Sequence, residues 1–181
     1  MLDHLHPKKT IRPQAHGTSN KTSYILFHAG ERFWQAPTMP DRCRFQLAGS
    51  ELVEIYRDMY REVASVWNWG SAISWETAQW GSHLAAADVE GHVLFVADQP
   101  AGWFELRHDM RLGSIEIYYL ALRRQFIGCG LGRLLLRHAI GYAYRRRPQR
   151  VWLKTSSDDH LSALPLYLSE SFYLIDIIPK D

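Results

Sequence analysis

The chain has 181 residues, 46% hydrophobic and 22% charged, with 21 Lys plus Arg against 19 Asp plus Glu and a formal net charge of +2. That length suits one domain with a sizeable core, and so slight a charge excess is no basis for a nucleic-acid or membrane partner. Two cysteines, Cys43 and Cys129, exclude a disulfide scaffold, no Cys/His cluster suggests zinc or another metal, and no apolar run approaches the roughly 18 residues of a membrane helix.

Residues 1–21 are polar and aperiodic and predict a disordered tail, leaving 22–181 as a single domain. The tail lacks the apolar stretch of a signal peptide, so a reduced, cytoplasmic protein is expected. Residues 23–28 (SYILFH) and 43–47 (CRFQL) read as short strands around a Pro-containing loop. From Ser50 onward, Leu52, Tyr56, Met59, Tyr60, Val63 and Trp67 recur at helical spacing, and Asn68 and Gly70 end that helix. Ser74 is the expected N-cap of a second helix reaching residue 87, with Glu76 in its first turn. Strands are predicted at 93–97 and 101–107, joined as a hairpin, and at 114–122. Residues 131–145 form an amphipathic helix; its internal Gly141 costs about 1 kcal/mol relative to Ala, so a packing reason is expected. A strand at 151–155, a helix at 159–171 and a strand at 173–178 complete the chain. Pro165 is tolerable in that helix only in the first turn or at a kink. Hairpins first and βαβ-like crossovers later predict an α/β fold: a central mixed sheet with helices on both faces.

The most informative stretch is LALRRQFIGCGLGRLLL, residues 120–136. Gly128, Gly130 and Gly132 alternate between a strand and an apolar helix. Glycine lets the backbone take φ > 0 and approach a ligand closely, and the helix start offers free N–H groups and a partial positive charge. The combination suits a phosphate. It is not the GxGxxG dinucleotide fingerprint, because the third glycine would fall on Arg133 or Leu135, and no GxxxxGK phosphate loop is present.

This strand, linker and glycine loop resemble the "RGxGIGxxLL" element of the GCN5-related N-acetyltransferase (GNAT) superfamily. HLSALPLYLSESF, residues 160–172, resembles its later "NxxAxxxYxxxGF" helix. The resemblance covers about residues 50–178. It departs from the family at Ile127, where Arg or Gln is usual, at His160 in place of Asn, and at Ser171 in place of Gly. The resemblance implies acetyl-CoA as cosubstrate, bound between two splayed parallel strands. Pantetheine would pair with Leu120, Ala121 and Leu122. Pyrophosphate would sit on Ile127, Gly128, Cys129, Gly130, Leu131, Gly132 and Arg133. Arg123, Arg124 and Arg133 are candidate phosphate partners, with solvated surface as the alternative.

Attack of an amine on a thioester needs a base, an oxyanion donor and an acid for the leaving thiolate. The resemblance puts a base at Glu116, in an E-I-x-x-x-A pattern completed by Ile117 and Ala121. Strict alternation would set Glu116, Tyr118 and Leu120 on one face. Glu105 is the rival base and His108 a third candidate. Tyr167 matches the family tyrosine that protonates the CoA sulfur, with a core tyrosine as the alternative, and the Leu122 N–H is a candidate oxyanion donor. Trp67, Trp69, Trp75 and Trp80 either shape an acceptor site or pack as core. The basic run Arg145, Arg146, Arg147 and Arg150 reads as a charged helix end rather than an RNA site.

The expected function is therefore direct acetyl transfer from acetyl-CoA to a primary amine in a ternary complex, without a metal. The expected partner is a small-molecule or peptide amine, with no nucleic acid and no membrane, and self-association as a homodimer is left open. A non-catalytic CoA sensor or scaffold, or an acyltransferase for a longer acyl group, is the alternative.

Overall fold

The computed structural model describes residues 21–30, 34, 36–67, 69–70 and 72–180. The expected disordered tail thus lies outside the described residues, except Lys21, which already belongs to a strand. The elements run β1 (Lys21–His28), β2 (Cys43–Leu47), a 3-10 turn (Ser50–Leu52), α1 (Val53–Trp67), α2 (Thr77–Leu84), β3 (Val89–Val96), β4 (Gln99–Asp109), β5 (Ser114–Leu122), a second 3-10 turn (Arg124–Phe126), α3 (Leu131–Arg145), β6 (Arg150–Ser156), α4 (Ala163–Ser169) and β7 (Phe172–Lys180). None of the helices is long and apolar enough to cross a membrane among the described residues.

The seven strands form one mixed sheet in the order β2-β3-β4-β5-β6-β1-β7. The β2-β3-β4-β5 meander is antiparallel, and among the described residues the β5-α3-β6 crossover makes the single parallel pair. β7 does not lie beside β6. β1 is inserted between them, antiparallel to both. No periodicity in residues 23–28 carries that information, because strand order is set by long-range pairing rather than by local pattern.

Alternation along the strands feeds two cores. Leu94, Phe104, Leu106, Ile115, Ile117, Val151 and Leu153 pack against α3 and Tyr167 of α4. Val93, Phe95, Trp103 and Ala121 pack on the other face against Tyr56, Met59, Tyr60 and Val63 of α1 and Trp80 of α2. Burying two apolar faces of one sheet beneath helices is what stabilises this layer arrangement.

Two local expectations change in detail, and a third is met. The N-cap of α2 is Glu76, not Ser74: Glu76 accepts from the third helical N–H while Gln79 bonds back to the Glu76 N–H at 2.9 Å, a closed capping box. The last helix is shorter than 159–171 and begins at Ala163, which puts Pro165 in its first turn, where its missing N–H costs nothing. At Gly141 an added Cβ would stand 3.0 Å from the Ala36 Cβ, which supplies the expected packing reason for glycine.

Candidate active site

β5 begins as a regular strand and then breaks step. Glu105 of β4 faces Tyr119 while Leu106 faces Ile117, so Tyr118 is an extra, unpaired residue. A bulge of this kind reverses the side-chain alternation beyond it. Ile117 packs toward α3, but Tyr119 and Ala121 pack toward α1, and Leu120 and Leu122 return to the α3 side. Glu116 therefore shares its face with Tyr119 and Ala121, not with Leu120 as strict alternation would have it. The parallel pairing with β6 also stops at this point, the last partners being Ile117 and Leu153. Beyond it the two strands diverge, and residues 118–122 turn a backbone edge toward the gap.

That gap is a cavity of about 540 Å³. One wall is Leu120, Ala121 and Leu122. The floor is Ile127, Gly128, Gly130, Gly132 and Arg133, and the opposite wall is Ala163, Leu166 and Tyr167. Gly128 (φ +85°) and Gly130 (φ +76°) are left-handed, and a Cβ on either would meet nothing within 4 Å. Gly130 is the N-cap of α3, so the first N–H groups of that 15-residue helix open toward this space. Of the residues expected to hold the cosubstrate, Cys129 and Leu131 are not among those lining the cavity. The arginines are partly engaged elsewhere. Arg123 Nε donates to Glu62 at 2.7 Å, and Arg133 Nε lies 3.1 Å from the buried carboxylate of Glu170.

A second cavity of about 310 Å³ continues from the first, sharing Trp67, Trp69, Tyr118, Lys154 and Asp159 in its walls. Glu116 lines it, together with Tyr60, Tyr119, Lys21 and Asp158. Burial raises the Glu116 carboxyl to about 6, opposed in part by the positive charges of Arg107 and Lys154. The rival Glu105 lines neither cavity. It is wholly buried beneath α1 and α2, where it accepts from the Tyr56 hydroxyl at 2.7 Å and pairs with His83 Nε2 at 3.0 Å. His108 sits 3.5 Å from Glu90 and lines neither cavity. The Glu105 cluster ties helices to sheet, and its expected role is in stability. Tyr56→Phe removes a hydrogen bond to a buried carboxyl, a loss of about 1–3 kcal/mol. In a chain of this size that lowers Tm by about 2–10 °C, which calorimetry reads directly.

Tyr167 is buried at the cavity wall, and its phenol is pushed well above the usual value by burial, then by the nearby Asp159 carboxylate. Asp159 was not singled out by sequence. Its oxygens accept from Thr155 Oγ1 at 2.7 Å, the Ser156 N–H at 2.8 Å and Trp69 Nε1 at 3.1 Å, so it pins the α1–α2 connection to the end of β6. The tryptophans divide: Trp80 is core, whereas Trp67 and Trp69 line both cavities. Trp69 stacks on Tyr119, with ring centroids 5.4 Å apart.

Cys129 is exposed at the tip of the loop, between the two left-handed glycines, whereas Cys43 is half-buried and burial pushes its thiol up. Iodoacetamide is therefore expected to label Cys129 faster than Cys43. If the phosphates of CoA rest on this loop, saturating CoA should slow Cys129 labelling by blocking access to the sulfur. Peptide mapping with and without CoA checks this. Equal Cys129 labelling in the two samples would mean that bound CoA does not cover the tip of the loop.

With this geometry in hand, the comparisons with known proteins are consistent. Residues 50–171 match the Acetyltransferase (GNAT) family, and the chain belongs to that family. No curated protein matches the sequence. Among solved structures, a GCN5-related N-acetyltransferase from Sphaerobacter thermophilus superposes with a TM-score of 0.70 at 15% identity, over 88% of this chain and 50% of that one. An aminoglycoside acetyltransferase from an uncultured soil metagenomic sample gives 0.62 at 13% identity, over 74% and 90%. A GNAT-family protein from Novosphingobium aromaticivorans, described as an acetyltransferase, gives 0.59 at 14% identity, over 88% and 62%. The fold is that of the family, and the chain spans about half the length of the Sphaerobacter structure.

Proposed function

We propose that this protein, through one domain over residues 22–181, transfers the acetyl group of acetyl-CoA to a primary amine by direct attack in a ternary complex. The observation that carries the reading is the junction at Tyr118. One bulge ends the β5–β6 pairing, frees a backbone edge above the glycine loop, and sets Glu116 in a cavity that opens into the first. Pantetheine would add to the edge of residues 118–122 as an extra strand does, and pyrophosphate would rest on the α3 N-terminus. Free cysteines Cys43 and Cys129 favour a reducing, cytoplasmic setting.

In the proposed reaction the ammonium of the acceptor gives one proton to Glu116, directly or through a water. The amine nitrogen attacks the thioester carbon, the C–S bond breaks, the departing thiolate takes a proton from the Tyr167 hydroxyl, and the nitrogen's second excess proton leaves through water to restore that hydroxyl, giving the amide, the CoA thiol and one proton on Glu116. Raised to about 6, Glu116 is a stronger base than an ordinary carboxylate yet remains mostly ionised at pH 7. Burial keeps Tyr167 protonated until a thiolate forms beside it. Tyr167→Phe is expected to lower kcat for acetyl transfer by about 10²-fold while leaving CoA affinity nearly unchanged, and steady-state kinetics beside calorimetry separates the two. Release of thiol from acetyl-CoA across a panel of primary amines tests the activity itself. Tight CoA binding without thiol release on any amine would instead favour a sensor.

A further inference from the structure

The second cavity is built for more than an amine. Five charged side chains line it: Glu116, Lys154, Lys21, Asp158 and Asp159. Three of them are already committed. Lys21 Nζ and Asp158 form an ion pair at 2.7 Å, and Asp159 holds the three hydrogen bonds that fix its loop. Among the described residues, Glu116 and Lys154 form no ion pair or hydrogen bond, although each carries a charge in the other's field. Their placement is fixed by backbone register. Glu116 pairs with Trp152 across the parallel strands, and Lys154 follows two residues later on the same face, about 7 Å further along β6 and just past the splay. Lys154 lines both cavities and Glu116 only the inner one. The same cavity has aromatic walls, among them Trp67, Trp69, Tyr118 and Tyr119.

We infer that the acceptor is an acid-bearing amine of the amino-acid type with an apolar or aromatic body, its acidic group held by Lys154 while its amine faces Glu116. The inference rests on the acetyltransferase reading and names its substrate class. A cation beside a base is otherwise a liability, since it lowers the basicity of Glu116 and repels an incoming ammonium. A carboxylate carried by the acceptor itself cancels that charge and fixes the amine's direction. A polycationic acceptor would meet Lys154 with like charge and gain nothing from it. Lys154 is thus a specificity-determining residue rather than a catalytic one.

Matched probes decide the matter: L-phenylalanine against phenethylamine, which lacks only the carboxylate, with kanamycin as the polycation. Thiol release should favour L-phenylalanine over phenethylamine by about 10- to 100-fold in kcat/KM, the worth of a charge-assisted hydrogen bond, and mainly through KM. Lys154→Met should bring that ratio close to unity, and Lys154→Arg should keep most of it, with circular dichroism native in both. A preference for phenethylamine or kanamycin, or a ratio untouched by Lys154→Met, overturns the inference while leaving the transferase reading standing. Should no amine release thiol, the transferase reading fails, and calorimetry on the CoA-saturated protein still decides the site. Lys154-dependent binding of L-phenylalanine supports it, and equal or absent binding of both probes overturns it.

Discussion

Glu116→Gln is expected to lower the acetyl-transfer rate near neutral pH by about 10²- to 10⁴-fold, the usual worth of a positioned general base. Gln keeps the shape of the side chain and removes only its ability to take a proton. The wild-type profile should show the same group. A base works in its deprotonated form, and burial holds this carboxyl at about 6, so kcat/KM should rise as pH increases through about 6 and then level off. In the variant that inflection should vanish, and part of the rate should return at high pH, where the free amine is plentiful and needs no base. A full pH–rate profile of both proteins measures all of this. An unchanged rate in Glu116→Gln would leave water as the base, since Glu105 is sealed beneath α1 and α2 and lines neither cavity.

Gly130→Val is expected to weaken acetyl-CoA binding by about 100-fold, equivalent to about 3 kcal/mol. Two effects add. The residue sits at φ +76°, a left-handed conformation that costs a β-branched side chain about 1–3 kcal/mol. The space beside it is open, so the new side chain would not collide with the protein but would occupy the cradle where the pyrophosphate is proposed to rest. For the same reason the fold should survive. Calorimetry for affinity and circular dichroism for structure separate the outcomes, and Gly130→Ala, with only one methyl group, should show a smaller loss. Native affinity in Gly130→Val would mean that the anion is held elsewhere.

Much of the local architecture is legible in residues taken one element at a time. The period of Leu52, Tyr56, Met59, Tyr60 and Val63 marks a buried stripe that runs from the first 3-10 turn into α1; these five side chains are buried, and Trp67, which continues the period, is half-buried. Ser114 to Leu122 and Leu131 to Arg145 are read with the bounds the structure has. Local patterns succeed there because one side of each element is apolar and the flanking glycines leave no alternative. They fail where a side chain's partner is distant. Asp159 reads as an ordinary loop carboxylate, yet its hydrogen bond to Trp69 spans 90 residues of chain. Lys154 reads as a strand lysine, and only the register of β6 against β5 brings it within reach of Glu116. The bulge at Tyr118 is equally silent, because SIEIYYLAL alternates well enough to pass for a regular strand.

By itself the sequence determined the element types, the mixed α/β class and the glycine loop at the start of α3, for each of these depends on contiguous residues and on backbone torsions that particular side chains permit, and the resemblance of that loop and of residues 160–172 pointed to the GNAT family that residues 50–171 match. Tertiary structure alone decided that β1 lies between β6 and β7, that β5 bulges and parts from β6 beyond Ile117, that Glu116 lines a cavity while Glu105 is walled off, and which of the tryptophans face that space. These are outcomes of pairing between segments far apart in the chain, where the energy of a contact depends on what the rest of the sheet has already placed opposite it.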